Sequence, residues 1–167
     1  VMANHASFID PLILAAIMKD TFTSIVAVEY LHIPLWGWLV KRFRGIPIER
    51  KNREAALRSI ALAEERLKRG MHVAIMPEGT RTLTGKVGPL KKGGFHMAIN
   101  CGAPIQVVGI EGAFHIKAKN SNILRSGEVV VRFGKIIPPE RYEQATMEAI
   151  IKEVRQEFII LSGEASA

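Results

Sequence analysis

The segment Asn4-His5-Ala6-Ser7-Phe8-Ile9-Asp10 sets a histidine five residues ahead of an aspartate, between an apolar triplet and an Asp-Pro pair that opens a helix. Histidine moves protons near neutral pH. A carboxylate bonded to one ring nitrogen fixes the tautomer and leaves the other nitrogen as a base. A strand end that leads into a helix is also where α/β sheets bind ligands. The competing reading makes Asp10 a helix cap and His5 a plain loop residue.

A second segment, Met76-Pro77-Glu78-Gly79-Thr80-Arg81-Thr82, follows an apolar run. Gly79 lets backbone approach a ligand closely. Arg81 offers a planar fork that matches phosphate oxygens. Thr80 and Thr82 carry hydroxyl donors, and Glu78 can orient the arginine or accept from a substrate hydroxyl. The competing reading is a polar turn. The same loop mimics a phosphate-binding P-loop and fails it twice. Five residues separate Gly79 from Gly85 where that pattern has four, and Val87 follows Lys86 where it has Ser or Thr. ATP binding is excluded on those grounds.

Two further stretches carry weaker signals. Arg50 ends Gly45-Ile46-Pro47-Ile48-Glu49-Arg50 and can add a second cation for an anion, or stand as a solvated charge. Trp36, Trp38, Lys41, Arg42 and Arg44 fall in one aromatic and basic segment, a composition suited to a membrane interface or to a core helix with a basic end. His32, His72, His96 and His115 lack ligand spacing with carboxylates or Cys101, so no metal is proposed. Cys101 reads as a small structural residue. Ser7 lacks the Gly-x-Ser-x-Gly setting of a nucleophile.

The elements that position these residues alternate between short apolar runs and helical periods, which predicts an α/β fold. Strands are expected at 1–3, 24–28, 45–49, 71–76, 104–110 and 127–133. Asp10 and Pro11 open one helix, with Asp10 as its cap. Asn52 caps another that runs to Arg69 and ends at Gly70, with Ala56, Ile60, Ala63 and Leu67 on one face. Helices at 94–100 and 142–161 follow, and no linker divides the 167 residues, so one domain is expected over 1–167.

Composition narrows the class. Hydrophobic residues are 48% and charged residues 23%, which fits a globular chain and excludes disorder. One cysteine excludes an internal disulfide framework. No apolar run reaches the roughly 18 residues that span a bilayer. The chain opens on Val1, not Met, and the expectation is that its natural N-terminal segment is missing. The net charge of +7 lies wholly in residues 1–92, with 15 Lys/Arg against 8 Asp/Glu. Such an excess attracts phosphate, anionic membrane or nucleic acid. Against nucleic acid, there is no basic-aromatic RNA motif or recognition helix.

Taken in order, Asn4-His5 with Asp10, then Gly45 to Arg50, then Pro77-Glu78-Gly79-Thr80-Arg81, then Ala103-Pro104-Ile105, resemble the motifs of the glycerolipid acyltransferase family that includes the lysophosphatidic acid (1-acylglycerol-3-phosphate) acyltransferases. Met76 stands where that family commonly has Phe, and Thr82 where it has Ser. The resemblance implies a central mixed β-sheet flanked by helices. It implies that His5 is the general base on a lysophospholipid hydroxyl, with Asp10 orienting it. Arg50, Gly79, Thr80 and Arg81 would hold the acceptor phosphate, supported by Glu78. The acyl donor would be a thioester on coenzyme A or acyl carrier protein, with no cofactor, and the product phosphatidic acid. The implied location is membrane-associated, at the cytoplasmic face, in phospholipid biosynthesis. A non-catalytic lipid-surface module and an acyltransferase for another lysolipid or hydroxyl acceptor are the alternatives.

Overall fold

The computed structural model describes residues 1–18, 21–49 and 51–164. In chain order the elements are β1 (Met2–Ala3), α1 (Asp10–Ile17), β2 (Phe22–Ala27), a 3-10 turn (Val28–His32), α2 (Pro34–Arg42), β3 (Ile46–Ile48), α3 (Arg53–Lys68), β4 (His72–Ala74), α4 (Gly93–Asn100), β5 (Ile105–Glu111), α5 (Ala113–Ile116), β6 (Val130–Ile137), α6 (Arg141–Gln144) and α7 (Met147–Leu161). The expected α/β class, with a mixed sheet flanked by helices, is what the structure shows.

The strands lie in the order β3-β2-β4 and β1-β5-β6. A parallel bridge between Met2 and Ile75 joins the two groups, with the Ala3 amide donating to the Ile75 carbonyl at 3.1 Å. All pairings are parallel except β5 with β6. After β1 the chain crosses to β2 on one side, and after β4 it crosses to β5 on the other. The sheet order therefore reverses between the adjacent β4 and β1, and the loops leaving their carboxyl ends diverge. That divergence opens a crevice.

Alternation along the short strands sorts the core into two layers. Met2 and Val107 face a cluster with Phe95 of α4 and with Ile150, Val154 and Phe158 of α7. Ala3, Ala74 and Val108 face the other way, against Leu14 of α1 and Ala113 of α5. Helix α3 lays Ala63 over Ile46 and Val73, with Ile60 and Leu67 beside it, on the face expected from its spacing. Asn52 caps it, the side chain accepting from the Ala55 amide at 3.1 Å.

Three expectations shift for identifiable reasons. The last strand moves from 127–133 to Val130–Ile137, because antiparallel pairing sets Val130 opposite Glu111 and Ile137 opposite Ile105. The last helix is interrupted at Ala145. Its extended backbone lets the Thr146 hydroxyl accept from the Ala149 amide at 3.2 Å, a cap that starts α7 afresh. Asp10 is not a cap. It is the first residue of α1, whose capping position is Ile9.

β1 is only two residues long, and Asn4 extends its hold on β5. The buried Asn4 amide donates to the Ile110 carbonyl at 3.0 Å and its oxygen accepts from the Ile110 amide at 2.7 Å. Asn4→Ala leaves both backbone groups without partners, at about 1–3 kcal/mol for each. Urea unfolding should show that loss. A midpoint equal to wild type would mean that the strand pairing alone holds this edge.

Candidate active site

The loop after β1 wraps one carboxylate oxygen. Asp10 Oδ2 accepts from the Ala6 amide at 2.8 Å, from the Ser7 amide at 2.7 Å and from His5 Nδ1 at 2.8 Å. The Asp10 side chain is 0% exposed, while the His5 ring is 13% exposed. Oδ1 of Asp10 is buried without a hydrogen-bond partner. Because the carboxylate can only accept, Nδ1 carries the proton and Nε2 keeps its lone pair for a substrate. His5 lines an open cleft whose apolar wall includes Leu14, Phe22, Val26 and Trp36.

The loop after β4 supplies the opposite side. Gly79 adopts φ +70°, a left-handed turn that suits glycine. It carries Arg81 into the cleft, where Nη2 donates to the Tyr30 hydroxyl at 3.4 Å and the guanidinium lies 5.8 Å over the Phe8 ring. His5, Asp10, Gly79 and Arg81 are thus brought together. Thr80 is exposed outside this wall, its hydroxyl accepting from Lys119 Nζ at 2.9 Å.

Glu78 corrects its grouping with the phosphate-binding residues. It is 6% exposed, and both its oxygens are taken by backbone: Oε1 accepts from the His5 amide at 2.7 Å and Oε2 from the Gly88 amide at 2.9 Å. Burial pushes its pKa up, against the pull of those two donors. With both oxygens so engaged, Glu78 braces the His5 backbone and has no free oxygen turned to a ligand. The brace extends to α7 and the residues after it: Arg155 of α7 donates to the Val87 carbonyl at 3.0 Å and the Gly88 carbonyl at 3.3 Å, and Glu164, past the helix end, accepts from the Val87 amide at 2.8 Å. Sequence reasoning missed Tyr30, Arg155 and Glu164, since no spacing connects them to the motifs. Phe8 was within reach, lying between His5 and Asp10.

The aromatic and basic segment divides. Trp36 is 7% exposed and packs edge-on against Phe8 at 4.6 Å, so its expected place at a membrane interface is corrected to the cleft wall. Trp38 is 61% exposed. Two positions on a helix turn about 200°, which places the two rings on opposite sides. Lys41, Arg42 and Arg44 are exposed. Arg50 lies outside the described residues. No group of three His, Cys, Asp or Glu that could hold a metal occurs among the described residues, and no helix there is long and apolar enough to cross a membrane.

His5, its buried partner Asp10 and Arg81 lie at the crevice of a mixed α/β sheet, and the comparisons identify the family to which a chain of this fold belongs. Residues 1–111 match the family model described as Acyltransferase, and the chain belongs to that family. A 1-acyl-sn-glycerol-3-phosphate acyltransferase of Cocos nucifera is 28% identical over 159 residues, which cover 95% of this chain and 52% of that protein. A chloroplastic protein of the same description from Brassica napus, BAT2, is 31% identical over 137 residues, 81% of this chain and 40% of that one. The crystal structure of the 1-acyl-sn-glycerophosphate (LPA) acyltransferase PlsC from Thermotoga maritima matches with a TM-score of 0.82 and 29% identity, covering 99% of this chain and 65% of that chain. The chain spans about half the length of the curated relatives it matches.

Glu78→Ala strips the acceptor from two backbone amides and should lower the unfolding free energy by about 1–3 kcal/mol. Glu78→Gln keeps one acceptor and should recover part of the loss. Chemical denaturation followed by circular dichroism measures both, and an unmoved midpoint in the alanine variant would show that water replaces the brace without cost.

Proposed function

We propose that this chain carries the acyl-transfer chemistry of a 1-acylglycerol-3-phosphate O-acyltransferase, forming phosphatidic acid from a lysophospholipid and an acyl thioester. The observation that carries the reading is the His5–Asp10 hydrogen bond of 2.8 Å facing the same cleft as Arg81. His5 Nε2 takes the proton of the acceptor hydroxyl as its oxygen attacks the thioester carbonyl. The new C–O bond forms, the C–S bond breaks, and the departing thiolate recovers the proton from the imidazolium. Asp10, three times bonded, faces the cation that forms on the ring and holds its orientation. No covalent acyl-enzyme and no cofactor enter.

Arg81 serves the acceptor phosphate with its forked donors, and Arg50 and Gly79 belong to the same proposed site. The apolar wall of Leu14, Phe22, Val26 and Trp36 takes the acyl chain. Coenzyme A or acyl carrier protein is the proposed donor carrier, and phospholipid biosynthesis the proposed role. Exposed Trp38, Lys41, Arg42 and Arg44 support association with an anionic membrane surface, at the cytoplasmic face.

Thioester release with a panel of lysophospholipids tests the reading. His5→Ala should lower kcat by about 10²–10⁴, and Asp10→Asn should lower it through the tautomer. Turnover near that of wild type in a folded His5→Ala protein overturns the mechanism. For the acceptor, a phosphate-bearing lysolipid is compared with a neutral monoacylglycerol. Arg81→Ala should cost about 2–5 kcal/mol for the phosphate-bearing acceptor, and Arg81→Lys less, since it keeps the charge but loses the fork. An unchanged preference for phosphate in folded Arg81→Ala would place the phosphate elsewhere.

A further inference from the structure

The lysines around the Gly79-Thr80 turn are not equivalent. Lys92 is paired with Glu148 at 2.6 Å, and the Lys117 ammonium is bonded to the Ser121 carbonyl. Lys91 and Lys119 instead converge on the turn. Lys119 Nζ donates to the Thr80 hydroxyl at 2.9 Å. The Lys91 side chain lies so close over Gly79 that a Cβ there would meet its Cε at 2.9 Å and its Nζ at 3.0 Å. Neither has a carboxylate within ion-pair distance among the described residues. Glu78, beside the turn in sequence, faces inward onto two backbone amides. One ammonium bonded to the turn and a second lying against it, neither with a counterion among the described residues, offer positive charge to an anion.

Their side of the turn also matters. His5, Gly79 and Arg81 line the cleft, whereas Thr80, Lys91 and Lys119 are not part of its wall. The turn thus separates an inner cation from an outer pair. A direct transfer brings two substrates to one histidine, and their remote ends must leave in different directions. The acceptor carries a single phosphate, which Arg81 meets inside. The donor carries its thioester at the end of a pantetheine arm, and in both coenzyme A and acyl carrier protein the far end of that arm is a phosphate.

Resting on the acyl-transfer reading, we propose that Lys91 and Lys119 form a second anion subsite, which holds the phosphate at the far end of the donor's pantetheine arm, across the Gly79-Thr80 turn from the acceptor phosphate. Thr80 orients Lys119 toward it. Gly79 is needed here for space as well as for its backbone, because any side chain would displace Lys91.

The test uses Lys91→Gln/Lys119→Gln, with acyl-CoA and acyl-pantetheine, which lacks phosphate, as donors. The advantage of acyl-CoA over acyl-pantetheine in kcat/KM should fall about tenfold in the double variant. The acceptor KM should move by less than the donor KM. A rise confined to the acceptor KM overturns the subsite in favour of a shared acceptor site, and an equal loss for both donors shows that the lysines meet no donor phosphate. Calorimetric binding of coenzyme A itself separates the two proposals. Binding should weaken about tenfold in the double variant and with rising salt, yet persist in His5→Ala. Lysine-dependent binding without any acyl transfer would sink the acyl-transfer reading alone. Wild type that ignores coenzyme A, or binding indifferent to the lysines, overturns the subsite while leaving His5 chemistry standing.

Discussion

A carboxylate buried away from water is costly unless donors surround it. Asp10 meets that demand by drawing the Ala6 and Ser7 amides and His5 Nδ1 onto one oxygen. The loop from His5 to Asp10 has its shape because of that convergence. The ring cannot rotate without breaking one of the three bonds, so Nε2 stays directed at the cleft. The orientation of the candidate base is thus a by-product of satisfying a buried charge. The second carboxylate oxygen, Oδ1, is buried without a hydrogen-bond partner, so the desolvation cost that the three donors offset at Oδ2 remains on that side.

Glu78 repeats the same physics in a different role. Its carboxylate is buried, its oxygens are filled by the His5 and Gly88 amides, and its pKa rises because burial outweighs those bonds. The two acids hold the same histidine residue from opposite ends, one by its ring and one by its backbone. The Thr82 amide closes the frame by donating to the His5 carbonyl at 2.9 Å. Arg155 of helix α7 and Glu164, just past its end, reach this frame, although both lie beyond the residues that match the family model. Rigidity at the site is therefore distributed over three elements that are distant in sequence.

Charge is arranged around these acids with the opposite sign. Arg81 sits inside the cleft on Phe8 and Tyr30, while Lys91 and Lys119 stand outside the turn. Guanidinium on an aromatic ring is partly desolvated and keeps its fork open to a ligand. The ammonium groups, more strongly hydrated, stay at the rim.

The sequence alone determined the motif residues, the α/β class and most element positions, because spacing, caps and apolar alternation are local properties. Asn52 and Gly70 bound α3 in the structure as they do in the chain. The five-residue spacing of His5 and Asp10 was also legible, since a short loop can close only over a short distance. What Asp10 and Glu78 do with their carboxylates was not. A cap, a brace and a ligand-binding acid share one residue type, and only the arrival of amides from 6, 7 and 88 distinguishes them. Trp36 and Trp38 likewise read alike in the chain, and the side of α2 that packs on Phe8 separated them. Tertiary structure decided Glu78 and the tryptophans because their burial and partners come from segments that no local pattern connects, while Asp10 turned on how its own short loop folds back on it.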